Sequence, residues 1–240
     1  MQGVLLVDKP KTWTSFDVVN YVRKIVAQSE GKKPKNVKVG HTGTLDPMAT
    51  GLLVLLVGKE YTRRAGELSK LDKTYEVVMK LGETSTTADE EGEKTHSSDK
   101  QPVKEEIQAA LKEFQGDIMQ TPPAFSAMKI NGQRAYKLAR AGKEVALEAR
   151  PVRINSIELT DYDYPFVRFT SDVSSGTYIR SLVEDIGKRL GTGAYMSDLR
   201  RTQVGQYLLT QSLAVDTLDE KAMNQALGVL PPPAPRPLGT

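Results

Sequence analysis

An α+β fold built on a mixed, mainly antiparallel sheet is what this sequence predicts, and three observations predict it. Strand-like and helix-like stretches follow one another without the strand–helix–strand rhythm of a doubly wound sheet. Residues 166–173 alternate apolar and polar side chains, as a half-buried antiparallel strand does. A chain of 240 residues can bury a full core as one domain or two merged lobes without disulfide staples.

Taken in order, residues 3–7 read as a short strand ending at Lys9-Pro10. Thr14 followed by Asp17 resembles a capping box opening a helix to about residue 28, whose apolar stripe is Val18, Val19, Val22, Ile25 and Val26. Residues 40–51 have neither helical nor strand period, and the apolar run 52–57 after them reads as a buried strand. A further strand is expected at 74–81, then a polar, mobile loop over 83–100. Residues 103–114 carry an amphipathic helical pattern, 125–130 a strand, Asn131-Gly132 a tight turn and 134–140 a short helix. Strand signals return at 152–162 and 166–173. Gly176-Thr177 then opens a helix with the stripe Ile179, Leu182, Val183, Ile186 and Leu190. Residues 231–240 hold five prolines and are expected to be disordered.

Composition narrows the chemistry. The absence of cysteine excludes disulfides, thiolate catalysis and Cys-ligated metals, and His41 and His96 are the two imidazoles. The longest apolar run, about eight residues, is too short to cross a bilayer, so a soluble, unexported, cytoplasmic protein is expected. A formal charge of +3 leans toward polyanions without establishing one as a partner. Its distribution is uneven: Lys32, Lys33, Lys35 and Lys38 precede the 40–51 segment, while Asp89, Glu90, Glu91 and Glu93 cluster elsewhere. No nucleotide-binding glycine motif, P-loop or metal cluster is evident.

The segment Gly40-His41-Thr42-Gly43-Thr44-Leu45-Asp46-Pro47-Met48-Ala49-Thr50-Gly51 reads as a shaped loop around one carboxylate. Asp46 is the one acid between Glu30 and Glu60, and Pro47 biases it toward an extended backbone. An Asp-Pro turn with incidental glycines would account for the same residues. Tyr178 and Arg180 fall in the first turn of their predicted helix, off its apolar stripe. A cation there opposes the helix dipole at a cost of about 0.3–1 kcal/mol unless an anion answers it, a ligand phosphate or the Asp46 carboxylate being the two candidates. Tyr75 would pack in a core by default, Arg200-Arg201 would be a surface pair, and Lys9-Pro10 a turn.

In combination these residues resemble a known family, the TruB-type tRNA pseudouridine synthases, which isomerise uridine 55 in the T loop of tRNA. The likeness runs through Gly3-Val4-Leu5-Leu6-Val7-Asp8-Lys9-Pro10, the 40–51 loop, Lys73-Thr74-Tyr75, Pro122-Pro123-Ala124-Phe125-Ser126-Ala127-Met128-Lys129, Arg150-Pro151-Val152, Gly176-Thr177-Tyr178-Ile179-Arg180 and Leu199-Arg200-Arg201. It implies the pseudouridine synthase fold, with a catalytic cleft across a central sheet and flanking helices. It makes Asp46 the essential carboxylate, which attacks C1′ or removes the C2′ proton, and it requires no cofactor, metal, membrane or obligate protein partner. Tyr75 would stack on the extruded uracil, Arg180 would pair with Asp46, and Tyr178 and Leu199 would line the pocket. On the RNA side it sets His41, entering the T loop in place of the flipped base, with Lys9, Lys129, Arg200 and Arg201; Lys9 and Pro10 also support the loop from behind.

Two departures and three rivals complete the reading. Most bacterial relatives continue into a PUA domain, whereas here a catalytic domain over 1–215 would be followed at 216–240 by a short helical segment and the Pro-rich tail, predicting weaker, salt-sensitive tRNA binding. Phe125 stands where the family has Tyr, and Ser85 where many relatives have Asp. The rivals are a non-catalytic tRNA-folding chaperone of the same fold, a synthase acting on another RNA within a guide-RNA complex, and a glycosidase. The last wants a second catalytic acid that is not evident near Asp46.

Overall fold

The computed structural model describes residues 1–126, 128–130, 132–142 and 147–230. The chain divides into two compact units, one made of Met1–Pro47, Gly51–Ser69 and the segment from Tyr207, the other of Met48–Thr50 and Lys70–Gln206.

In the first unit the strand Gly3–Lys9 lies between Leu213–Ala214, parallel to it, and Thr50–Val57, antiparallel to it, with Val39–His41 paired beyond. The first strand runs two residues past its predicted end because the ladder continues through Asp8 opposite Leu52 and Lys9 opposite Gly51. Gly51 sits at φ +101, a conformation that side chains rarely adopt. The helix Ser15–Ser29 begins with the expected box: Thr14 Oγ1 accepts from Asp17 N at 3.1 Å and Asp17 Oδ2 accepts from Thr14 N at 2.8 Å. Val18, Val19, Val22 and Val26 form its buried stripe against Leu5, Val7, Leu53, Leu55 and Val57. The helix Glu220–Ala226, capped by Asp219, adds Met223 to this core.

The second unit holds an antiparallel sheet in the order Ala194–Val204, Lys73–Leu81, Phe166–Val173, Arg150–Asp163, Gly116–Gln120. The helices Lys104–Glu113 and Ile179–Leu190 pack on it. The strand Ala194–Val204 has no sequence forecast, because Asp198, Arg200 and Arg201 break its apolar run and two register shifts interrupt its period. The loop expected over 83–100 is corrected: Glu83–Ser85 and Lys94–His96 pair as a hairpin. Of the predicted strand at 125–130, the two residues Lys129–Ile130 pair with Gln133–Arg134; Ala127 and the turn residue Asn131 lie outside the described residues, as do residues 231–240.

Candidate active site

Asp46 lies in the first unit, half-buried on the connection between Val39–His41 and Thr50–Val57. Its two neighbours are tied down. Leu45 N donates to Ser15 Oγ at 2.8 Å while Ser15 Oγ donates to Leu45 O at 3.0 Å, so one buried hydroxyl fixes both backbone groups of that residue. On the other side Pro47 O accepts from Thr12 N at 2.9 Å and from Lys9 Nζ at 3.3 Å. Lys9 Nζ also donates to Pro10 O at 2.9 Å and Trp13 O at 2.6 Å, and its side chain is fully buried. An ammonium so enclosed reaches no phosphate. Lys9 is therefore corrected from an RNA contact to a backbone clamp, the support that its motif implied. His41 closes its short strand opposite Leu55, half-buried, directly before the loop.

In the second unit Tyr75 is 8% exposed on the strand Lys73–Leu81, directly opposite Arg201 on one side and Ser171 on the other. Leu199 faces Val77 two residues along, so Tyr75, Leu199 and Arg201 share one face of the sheet. Arg201 is 1% exposed, which overturns the surface pair expected of Arg200-Arg201. Arg200 points to the opposite face, where its Nη1 donates to Thr50 Oγ1 at 3.2 Å. Beside Arg201, burial and the guanidinium's charge together lower the Lys73 ammonium from its ordinary value to about 8, partly offset by Asp72.

The predicted helix opens three residues later than Gly176, at Ile179, with Tyr178 as its cap residue. The Gln120 side chain anchors this cap residue: Tyr178 N donates to Gln120 Oε1 at 2.8 Å and Gln120 Nε2 donates to Tyr178 O at 3.0 Å. Arg150 lies over the Tyr178 ring, 5.1 Å from its centroid. Arg180 does not stand off the core, as its place beside the stripe suggested, but is 6% exposed. Its Nη2 donates to Phe125 O at 2.9 Å and Nη1 to Thr87 O at 3.3 Å, and Nη1 pairs with Asp89 Oδ2 at 3.5 Å. Asp89 is thus an anion answering a cation in the first helical turn. The sequence set it among solvated acids, whereas Thr87 Oγ1 and Glu91 N both donate to its Oδ1 inside the 83–96 hairpin. Lys129 opens a short strand. Ser15, Asp89, Gln120 and the orientation of Arg150 escaped sequence reasoning.

Family models that match most of the chain place it in the class of pseudouridylate synthases. The chain belongs to the TruB family: residues 31–179 match the TruB family pseudouridylate synthase N-terminal domain and residues 180–227 the tRNA pseudouridylate synthase B C-terminal domain. It is 44% identical to tRNA pseudouridine synthase B of Stutzerimonas stutzeri over 91% of its length and 69% of that protein's, and 42% identical to the protein of that name from Pseudomonas aeruginosa over the same shares. Among solved structures it is similar to a chain of a Cbf5-Nop10-Gar1 complex, at TM-score 0.66 and 31% identity, and to one of an archaeal box H/ACA Nop10-Cbf5 complex, at 0.66 and 27%. It covers 89% and 93% of its own length in these likenesses but spans little more than half of those chains, 54% and 57%.

Proposed function

We propose that this chain converts uridine to pseudouridine in tRNA, at position 55 of the T loop, acting alone in the cytoplasm with Asp46 as the essential carboxylate. The observation that carries the reading is the 44% identity to tRNA pseudouridine synthase B along nine-tenths of the chain, with the matching loop clamped around Asp46. The reaction is a redox-neutral isomerisation. The N1–C1′ bond breaks, the base turns, C5 bonds to C1′, the hydrogen on C5 leaves as a proton to water, and N1 takes up a proton in its place, so the formula is unchanged.

Asp46 serves as its ionised form, whether it attacks C1′ or takes the C2′ proton. Tyr75 stacks on the uracil, Arg180 supplies positive charge, and Tyr178 and Leu199 complete the walls. Extruding a stacked base costs a few kcal/mol. His41, at the loop's edge, is assigned to fill the place the base leaves, and Lys129, Arg200 and Arg201 to the RNA side. With unmodified tRNA tritiated at C5 of uridine, the wild type is expected to release tritium mapped to the T loop, and Asp46→Asn to release none. Binding without release would make the protein a tRNA-remodelling chaperone.

A further inference from the structure

Residues 11–38 carry seven Lys and Arg against two acids, a local excess greater than that of the whole chain. Within this stretch the helix Ser15–Ser29 spends one face on the core and leaves the other over a groove of about 790 Å³ lined by Trp13, Asn20, Tyr21, Arg23, Lys24 and Lys35. Asp17, also on its wall, is engaged in the helix cap, and the Thr14 hydroxyl keeps its carboxyl below the ordinary range.

The groove is built, and its parts suit a nucleic-acid strand. Trp13 and Tyr21 meet edge to face at 5.8 Å. Arg23 is held by Asn20 Oδ1 at 2.8 Å and Val39 O at 3.1 Å, which sets its guanidinium 5.9 Å from the Phe16 ring centroid. Phe16 is 60% exposed at the first turn, an aromatic ring largely turned to solvent. Lys24 and Lys35 are exposed cations with room to meet phosphates. One end of the groove is Thr12, whose amide holds Pro47 O of the catalytic loop.

We infer that this groove is an RNA-binding subsite, in which Lys24 and Lys35 neutralise backbone phosphates and Phe16, beside the groove against Arg23 of its wall, stacks a base of the strand that leads into the Asp46 loop. The inference rests on the tRNA reading above and adds to it a surface outside the reacting residues. Charge with aromatic faces is the combination that holds single-stranded or looped RNA without reading its sequence.

The test is tRNA binding by the full chain at several salt concentrations, with tritium release measured alongside for the wild type. The double variant Lys24→Glu/Lys35→Glu is expected to bind at least about tenfold more weakly, with a slope of log affinity against log salt shallower by about 1.5 for two lost phosphate contacts. Phe16→Ala is expected to lose about five- to tenfold. A matched reversal at exposed helix positions of the second unit, Lys104→Glu/Lys112→Glu, changes the net charge equally and is expected to bind as the wild type does. Groove variants binding like the wild type, or no worse than this control, would overturn the subsite while tritium release left the synthase reading standing. Weaker binding by the groove variants with no release from the wild type would sustain the subsite and sink the synthase, and a wild type that bound no tRNA would sink both.

Discussion

Replacing Lys9 by Met tests whether the catalytic loop is held by one buried ammonium. Methionine nearly matches the volume of the lysine stem, so packing is largely preserved and the change falls on the hydrogen bonds. Three carbonyls, those of Pro10, Trp13 and Pro47, lose a charged donor at 2.6–3.3 Å whose own side chain is fully buried. Hydrogen bonds to charged groups contribute about 1.5–3 kcal/mol each, and a stranded buried carbonyl costs about 1–3 kcal/mol. Because the variant also escapes the cost of burying a charge, the net loss should be about 3–4 kcal/mol and not the sum of three bonds. Urea unfolding should show this as a lower midpoint at unchanged slope. The variant keeps the Ser15 bonds to Leu45 and the Thr12 amide on Pro47 O but loses the ammonium's grip on Pro47 O, so tritium release at saturating tRNA should fall at least about tenfold, the penalty of a misplaced reacting group. A Lys9→Met protein within 1 kcal/mol of the wild type that also released tritium at the normal rate would refute the clamp.

Two further outcomes follow from packing and burial. In the helix Ile179–Leu190, a Cβ on Gly187 would meet Ala194 N at 2.4 Å and the Ala194 Cβ at 2.6 Å. Gly187→Ala should thus cost about 1–3 kcal/mol of overpacking against the roughly 1 kcal/mol that alanine gains in a helix, a net loss readable by urea unfolding. Lys73, lowered to about 8 by burial and Arg201, keeps fewer protons folded than unfolded between pH 8 and 10.5. The unfolded chain binds the extra proton there, so stability rises with pH across this window by up to about 3 kcal/mol relative to Lys73→Met and is flat with respect to this group below it. Parallel stability curves for the two proteins from pH 8 to 10 would show that the ammonium is not depressed.

What the sequence made legible was local. The capping box at Thr14 and Asp17, the valine stripe behind it, and the alternation of 166–173 are each written within a few residues, and the structure returns them almost unchanged. The loop around Asp46 could be recognised as shaped because Pro47 and the glycines restrict or free the backbone where they stand. The strand Ala194–Val204 was not legible for the opposite reason: Arg201 turns inward to 1% exposure between strands far away in sequence, and no nearby residue announces that.

The same distinction explains why the carboxylate was found and its fastenings were not. Ser15 reaches Leu45 across 30 positions and Lys9 reaches Pro47 across 38, and in each case the far partner is a backbone group. Every residue offers a carbonyl, so nothing at Leu45 or Pro47 could mark them as the ends of a tether. Asp89 shows how a side chain can be equally hidden. Among Glu90, Glu91 and Glu93 it looks like one more solvated acid, yet the turn through Ala88, at φ +61, carries it inward to 2% exposure beside Arg180. A cation in a first helical turn implied an anion somewhere, which was the right physical demand. That Asp89 is among the anions meeting Arg180 needed the pairing of the hairpin, and that pairing rests on Glu83, Thr84 and Ser85 meeting His96, Thr95 and Lys94, of which Thr84 and Thr95 alone are strand formers. The chemistry of this site is therefore announced by its reacting residues, while its rigidity is distributed over groups that sequence composition leaves anonymous.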